Sequence, residues 1–344
     1  MQNEKIDIKS LLPEELTELL AEMGEPRYRA KQVFSWLSRD VGSFAEMTDL
    51  SKPLRAALEE KCCLYSPKVL RKQVSKVDGT IKYLWELADG NAVETVVMQY
   101  RHGNTVCIST QVGCRMGCAF CASTLGGLVR GLKPSEMLSE VLASERDSGL
   151  PISNIVLMGI GEPLDNFDNV IRFLRLINDP LGRNIGMRHI SLSTCGLLDG
   201  IEKLAALDLQ LTLSVSLHAP DDETRSRIMP ANRACGVDRL MDACRRYFET
   251  TQRRISFEYI MIDGVNDSDE QAARLASLVR PIAGHVNLIP LNHVEERSLK
   301  ASPPDRIAAF QKLLEQKGVN VTVRRSLGGD VDASCGQLRR KAGK

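Results

Sequence analysis

Apolar positions recur along this chain at two different periods, and the change of period falls near residue 80. Leu16, Leu19, Leu20 and Met23 follow helical spacing after Pro13, Glu14 and Glu15, which suit a first turn, with Ser10 placed to cap it. Gly24 and Pro26 should end that helix. A second helix is expected with Ala30, Val33, Phe34 and Leu37 on one face and Arg27, Arg29 and Lys31 off it. Residues 1–75 therefore read as helical. Residues 80–87 and 92–98 alternate as paired strands, joined by a turn at 88–91 centred on Asp89-Gly90.

Beyond this point the chain repeats strand, loop and helix. Strands are expected at 105–110, 154–158, 189–194, 210–217, 254–262 and 285–289. Helices are expected between them at 134–148, 168–177, 200–206, 237–250 and 268–279, followed by a helix at 304–316 and a strand at 320–324. This alternation predicts an α/β fold: an open, mostly parallel (βα)6 partial barrel, with an N-terminal helical accessory domain. The domains are then residues 1–75 (a helical accessory domain), 76–100 (a linking hairpin), 101–325 (the α/β core) and 326–344 (a C-terminal loop and tail). A functional site should lie at the C-terminal ends of the strands. Cys114, Gly161-Glu162-Pro163, Ser193, Ser216-Leu217-His218 and Asn292 all follow or end such strands.

Composition narrows the class. Of the 344 residues 43 % are apolar and 26 % charged, with a formal net charge of +1, so any nucleic-acid footprint must be local. No apolar run approaches the ~18 residues of a membrane span. Met1-Gln2-Asn3-Glu4-Lys5 carries no signal-peptide core. Ten cysteines in this setting imply a reducing cytoplasm, where thiols serve metal or redox chemistry.

The sharpest local signal is Cys114, Cys118 and Cys121, with Gly113 and Gly117 in the same loop. Three thiolates can wrap one cluster or metal but are one short of closing a four-ligand site. Read bottom-up, they could hold an iron–sulfur cluster with an open iron, or zinc with His102 or Cys107 as fourth ligand. The motif resembles that of the radical S-adenosylmethionine (SAM) superfamily, with Phe120 where that family usually has an aromatic residue. The resemblance implies a [4Fe-4S] cluster on the three cysteines and SAM chelated to its open iron. It also implies that the reduced cluster cleaves SAM to a 5′-deoxyadenosyl radical. Gly161 and Glu162 match the family's turn that receives the SAM ammonium. Ser193, Ser216, Leu217, His218 and Asn292 match its contacts to the ribose and carboxylate.

Over nearly its whole length the chain is more closely similar to the RlmN/Cfr group of RNA adenine methyltransferases. The similarity rests on residues 107–114, 118–124, 158–164, 216–219 and 333–338, and on the stretch 24–30 in the helical region. It implies that Cys335 accepts a methyl group from one SAM and that a second SAM supplies the radical that activates it. Glu94 is implied as proton acceptor from the base. Cys107 is implied to resolve the RNA adduct by a transient disulfide with Cys335. An adenine ring carbon is too electron-poor for direct displacement, whereas a thiolate is readily alkylated. The loop with Gly328-Gly329, Asp330 and Asp332 reads as flexible enough to carry Cys335.

The implied substrates are an adenosine of 23S rRNA, methylated at carbon 2, and adenosine 37 of some tRNAs. Expected partners are these RNAs and an electron donor such as flavodoxin; no membrane partner is expected, and the protein should act as a monomer. The segment Cys121-Ala-Ser-Thr-Leu-Gly-Gly127 favours the carbon-2 branch over carbon 8. Rivals from other classes are an iron–sulfur electron carrier and a zinc-stabilised RNA-binding protein without catalysis. Phosphate contacts are expected from Arg27, Arg29 and Lys31, residues 68–76, Arg130 with Lys133, Arg324-Arg325, and Arg339-Arg340-Lys341. Cys62, Cys63, Cys195, Cys235 and Cys244 are read as packing residues.

Overall fold

The computed structural model describes residues 5–339. Its N-terminal unit is helical. Strand β1 (Ile6–Asp7) leads through a single 3-10 turn to α1 (Pro13–Glu22), α2 (Tyr28–Leu37), α3 (Lys52–Lys61) and β2 (Cys62–Cys63), which returns parallel to β1. Leu16 and Leu20 of α1, Val33 and Phe34 of α2 and Leu58 of α3 form a small core of their own, closed by Leu176 from a helix of the main domain. Lys9 and Asp40 make a 2.9 Å ion pair inside it.

Ser10 does not cap α1. Leu12 holds the cap position, and Glu15 reaches back to accept from its backbone N–H at 2.9 Å. Ser10 instead accepts from the amide of Ser135 at 3.1 Å, so its oxygen serves the first turn of a helix in the main domain.

Residues 68–75 are not helical either. Strand β3 (Lys68–Val74) pairs antiparallel with β4 (Ile81–Glu86), at the edge of the sheet, with a bulge between Val69 and Arg71. Nearly every residue of β3 is exposed, so it carries no buried stripe by which periodicity could show it. Strands β4 and β5 (Ala92–Tyr100) form the expected hairpin, and β5 pairs with β6 (Gly103–Cys107). A short antiparallel pair follows, β7 (Gln111–Gly113) with β8 (Leu128–Gly131).

The repeating part then runs α4 (Pro134–Ser148), β9 (Ile152–Leu157), α5 (Phe167–Asn178), β10 (Ile190–Thr194), α6 (Leu198–Ala206) and β11 (Thr212–Ser216). It continues with α7 (Asp222–Ile228), α8 (Val237–Thr251), β12 (Ser256–Met261), α9 (Asp269–Val279), β13 (His285–Pro290), α10 (Pro304–Gln316) and β14 (Asn320–Val323). One ten-stranded sheet results, in the order β14-β13-β12-β11-β10-β9-β6-β5-β4-β3. From β6 to β14 neighbours are parallel; from β6 to β3 they are antiparallel. The mostly parallel α/β architecture is therefore as expected, and the antiparallel hairpin extends the sheet itself.

The main core lies between this sheet and its helices, with Val106, Ile155, Leu192, Leu213, Phe257 and Leu288 among its fully buried strand residues. Parallel strands covered by helices need apolar side chains in this way. Helix α7 was not foreseen. Asp221 caps it by accepting from Thr224 N at 2.8 Å, and it carries Arg225 inward. Among the described residues no helix is long and apolar enough to cross a membrane.

Candidate active site

The cysteine loop is closed at its base by the β7–β8 pair. Gly113 has φ +78°, and a Cβ there would lie 1.9 Å from the carbonyl oxygen of Gly127. Only glycine allows so close a crossing. Cys114 N then donates to that same oxygen at 3.1 Å. Farther along, Cys121 N donates to Cys118 O, and Thr124 Oγ1 to Cys121 O at 3.0 Å. Arg297 adds a bond to Cys121 O at 3.1 Å from beyond the last core strands.

The loop turns Cys114, Cys118 and Cys121 toward one cavity at the C-terminal ends of the strands. Burial pushes the Cys114 thiol up to about 12 and raises Cys118 and Cys121 as well. No protein cation outweighs that burial, so these thiols suit a positive centre that would ionise them. Among the described residues no three His, Cys, Asp or Glu side chains converge as ligands of a single metal ion. A cluster, which spreads its ligands around several irons, fits this donor set better than zinc.

Opposite the thiols stands the turn after β9. Gly161 and Glu162 line the cavity. Glu162 is buried and accepts from Leu164 N at 3.1 Å through Oε1 and from Cys195 N at 2.7 Å through Oε2. Burial raises its pKa against those bonds. The carboxylate faces the cavity, where an incoming cation can meet it. The glycines are required by packing. A Cβ on Gly159 would lie 2.5 Å from Ile108 O, and one on Gly161 2.7 Å from Gln111 Cβ.

Ser193 and Ser216 also line the cavity, their hydroxyls 3.5 Å apart at the ends of β10 and β11. His218 lines it with a left-handed backbone (φ 58°). Its Nδ1 accepts from Ile260 N at 3.0 Å, and burial lowers its pKa to about 3, which keeps the ring neutral. Phe120 meets it edge-on at 4.9 Å. Leu217 differs: its side chain is fully buried in the core, and only its carbonyl serves this end of the barrel, accepting from Arg225 Nε at 2.9 Å.

A second cavity, about 500 Å³, adjoins the first. Cys107, Asn292, Met158, Tyr100 and Arg324 line it, and Cys335 lines both. Burial pushes the Cys107 thiol up to about 12. Asn292 sits here rather than in the first cavity, and its Nδ2 donates to Cys335 O at 3.0 Å. Glu94 lies beside this group, buried on β5. It is bonded to Lys82 Nζ at 2.9 Å and to Arg339 N at 2.6 Å.

Several wall residues escaped the sequence reading. Cys195, read as packing, lines the first cavity beside Glu162. Glu258 of β12 lines it too, held by Asn287 Nδ2 at 2.8 Å. Arg225 is fully buried and donates to the carbonyls of Cys195, Ser216 and Leu217, fastening the ends of β10 and β11 together. Arg324, read as a phosphate contact, faces the two cavities, and the nearby Cys335 thiol raises its pKa further. Arg130 is likewise engaged, with Glu136 at 2.7 Å and Asp89 at 2.7 Å. A basic residue far along the chain from the cysteine loop gives no local signal of such inward placement. Arg340 and Lys341 lie outside the described residues.

Residues 108–276 match the family model of the radical SAM superfamily, and residues 6–64 match the ribosomal RNA large subunit methyltransferase N-terminal domain. A protein of Alkaliphilus oremlandii named as a probable dual-specificity RNA methyltransferase RlmN is 52 % identical over 338 residues, covering 98 % of both chains. A protein of the same name from Desulforamulus reducens is 51 % identical over 340 residues, 98 % of this chain and 97 % of the other. The crystal structure of a radical SAM methyltransferase from Sphaerobacter thermophilus superposes with a TM-score of 0.93 at 44 % identity, covering 97 % of this chain and 99 % of that one.

Proposed function

The chain belongs to the RlmN family of radical SAM RNA methyltransferases, and we propose that it methylates carbon 2 of an adenosine in 23S rRNA and of adenosine 37 in some tRNAs. The observation that carries this reading is the position of Cys335, on the wall shared by the three-thiol cavity and the Cys107 cavity. One thiol there can meet a methyl donor on one side and a resolving thiol on the other.

Cys114, Cys118 and Cys121 hold a [4Fe-4S] cluster. When bound, it supplies SAM with the electron that generates a hydrogen-abstracting carbon radical. Glu162 receives the SAM ammonium where its carboxylate faces the cavity, beside Gly161. Ser193 and Ser216 offer hydroxyls to the ribose. Neutral His218, with Leu217 behind it, shapes the pocket without adding charge. Asn292 fixes the backbone of Cys335 at the edge of the SAM site. Cys335 takes the methyl of one SAM as a thiolate nucleophile, and a second SAM is consumed in each turnover to activate that methyl.

The carbon radical takes a hydrogen atom from the S-methyl group, and the resulting methylene radical bonds to the ring carbon. The adduct then gives up one electron, which would return to the cluster, and its ring proton, which Glu94 accepts. Cys107 attacks the Cys335 sulfur. An S–S bond forms, the C–S bond breaks, and its electron pair passes to the base carbon, which takes up a proton as the methyl group. The resulting disulfide is transient, as befits a reducing cytoplasm. The target base must be turned out of its stack to reach this rim. The division of labour follows the chain: residues 1–75 grip RNA, 76–100 link, 101–325 generate the radical and 326–344 carry the methyl group. The enzyme works as a monomer with an electron donor such as flavodoxin.

The test is mass spectrometry of RNA modified by the protein. 2-Methyladenosine in 23S rRNA and tRNA is expected; 8-methyladenosine without 2-methyladenosine would overturn the assignment.

A further inference from the structure

We propose that Lys82 is a positioning residue for methyl transfer: it holds Glu94 ionised and ties the freeing of that carboxylate to movement of the C-terminal segment. The inference rests on the reading of Glu94 as proton acceptor.

Lys82 and Glu94 lie on neighbouring strands. Leu84 is the direct cross-strand partner of Glu94, and Lys82 sits one pair away on the same face. Their side chains are 7 % and 8 % exposed, and Nζ stands 2.9 Å from Oε1. A carboxylate this buried needs a close cation to remain charged. The groups that face it from the surrounding elements are few. Lys82 comes from β4, and Arg339 from the C-terminal segment; Arg339 gives its amide to Oε2 at 2.6 Å. From the β6 side only the hydroxyl of Ser109 approaches, donating to the Glu94 carbonyl at 2.8 Å. Glu140 of α4 lies behind the strand, bonded to Thr95 and to Ser109 N. Burial raises the Glu94 pKa, and Lys82 is the foremost influence that lowers it.

Lys82 also donates to Asp332 O at 3.0 Å, in the segment that carries Cys335. Asp332 has a left-handed backbone (φ 50°), a conformation that aspartate tolerates better than most residues other than glycine. With the segment docked, both Glu94 oxygens are occupied, one by Lys82 and one by Arg339 N. Displacement of the segment removes the Arg339 amide and the Asp332 carbonyl together. Oε2 is then free to take the ring proton, the C–H electron pair remaining in the ring. Lys82 alone stays with Oε1 and keeps the carboxylate charged until that transfer.

The experiment follows the decay of the covalent RNA–protein adduct against pH in wild type, Glu94→Gln, Lys82→Met, Lys82→Gln and Lys82→Arg. Glu94→Gln should accumulate the adduct at every pH. Loss of the Lys82 charge raises the Glu94 pKa, so the acid limb of the decay profile should move up by about one pH unit or more. Lys82→Met should therefore stall at neutral pH and recover in alkaline buffer, with Lys82→Arg close to wild type. Infrared spectra of the cluster-free protein give a second readout. A protonated carboxyl band, absent in Lys82→Met/Glu94→Gln, should appear at higher pH in Lys82→Met than in wild type. Should Lys82→Met fail to fold, Lys82→Gln decides, since it keeps a hydrogen-bond donor without the charge. Charge-free variants whose profiles superpose on wild type would overturn the role of Lys82. Wild-type decay in Glu94→Gln would overturn the Glu94 reading, and this inference with it.

Discussion

Two segments bring thiols to one cavity, and they are held by different means. The Cys114–Cys121 loop is closed by a strand pair, a forced glycine crossing and short-range bonds, to which Arg297 and the Ile228 carbonyl add long-range ties. Among the described residues the Cys335 segment has no regular structure beyond one 3-10 turn at Gly329–Val331. Its bonds run to distant parts of the chain: Gly328 N to Asp78, Lys82 to Asp332 O, Asn292 to Cys335 O, Gly336 O to Ala122 N and Arg339 N to Glu94. Each such bond is worth about 1 kcal/mol net and can be broken singly. On the proposed roles, a cluster must be gripped continuously, whereas a methyl carrier must leave one partner for another. The contrast in fastening matches the contrast in work.

The strongest way to break this comparison is to remove a thiol from each segment. Cys118→Ala should lose bound iron and, with it, both SAM cleavage and RNA methylation. Cys335→Ala should keep its iron and still release 5′-deoxyadenosine, while RNA methylation falls to background. Iron content and product chromatography read the two outcomes. Loss of iron from Cys335→Ala would mean that the two segments are one structural unit.

Next in size is Gly113→Ala. The new methyl would meet Gly127 O at 1.9 Å on a backbone of φ +78°, so the strand pair at the base of the loop must open. A cost of roughly 2–4 kcal/mol is expected, by the usual penalties for overpacking and for a strained backbone. Urea denaturation should show it, together with poor iron retention. A variant with wild-type midpoint and iron content would refute the claim that this loop is rigidly closed.

The same contrast explains what could be read in advance. The cysteine triplet is local, so its spacing alone stands out, whereas the Gly-Glu-Pro turn gains its meaning through resemblance. The parallel strands were legible because buried apolar residues recur along them at period two, as Ile190 and Leu192 alternate with half-buried Ser191 and Ser193 in β10. Strand β3 was not, being exposed on nearly every residue. Arg225, Arg324 and Glu258 are ordinary charged residues in sequence; only the closing of the sheet turns them inward. Ser10 was misplaced because its oxygen serves a helix 125 residues away, a partner no local pattern encodes. Cys107 and Cys335 stood out only through resemblance, since the shared cavity that unites them is a property of the fold.

Asn292→Ala should act more gently. It removes one donor from Cys335 O, a bond of 3.0 Å at a half-buried site, so global stability should fall by only about 1 kcal/mol. The backbone of Cys335 loses its fixed position, and methylation of that thiol should slow severalfold. Mass spectrometry of the intact protein after a short exposure to SAM measures the rate. An unchanged rate would show that other ties alone place the cysteine.

The smallest effect concerns the far end of the same segment. Asp78 accepts from Gly328 N at 2.9 Å and from Thr80 N at 3.0 Å. Partial burial pushes its pKa up, but the bonds from Gly328, Thr80 and Ser75 outweigh this and bring it down to about 2. A carboxylate with a depressed folded-state pKa adds stability that is fully present above its ordinary value of 3.8 and is lost as pH falls toward 2. The Gly328 amide should therefore exchange faster as pH drops through that window, after correction for the intrinsic exchange rate, while amides in the β7–β8 pair keep their protection. In Asp78→Asn the Gly328 amide should lose this pH response. If both sets of amides lose protection together, acid is unfolding the whole domain, and the separate fastening of the Cys335 segment is disproved.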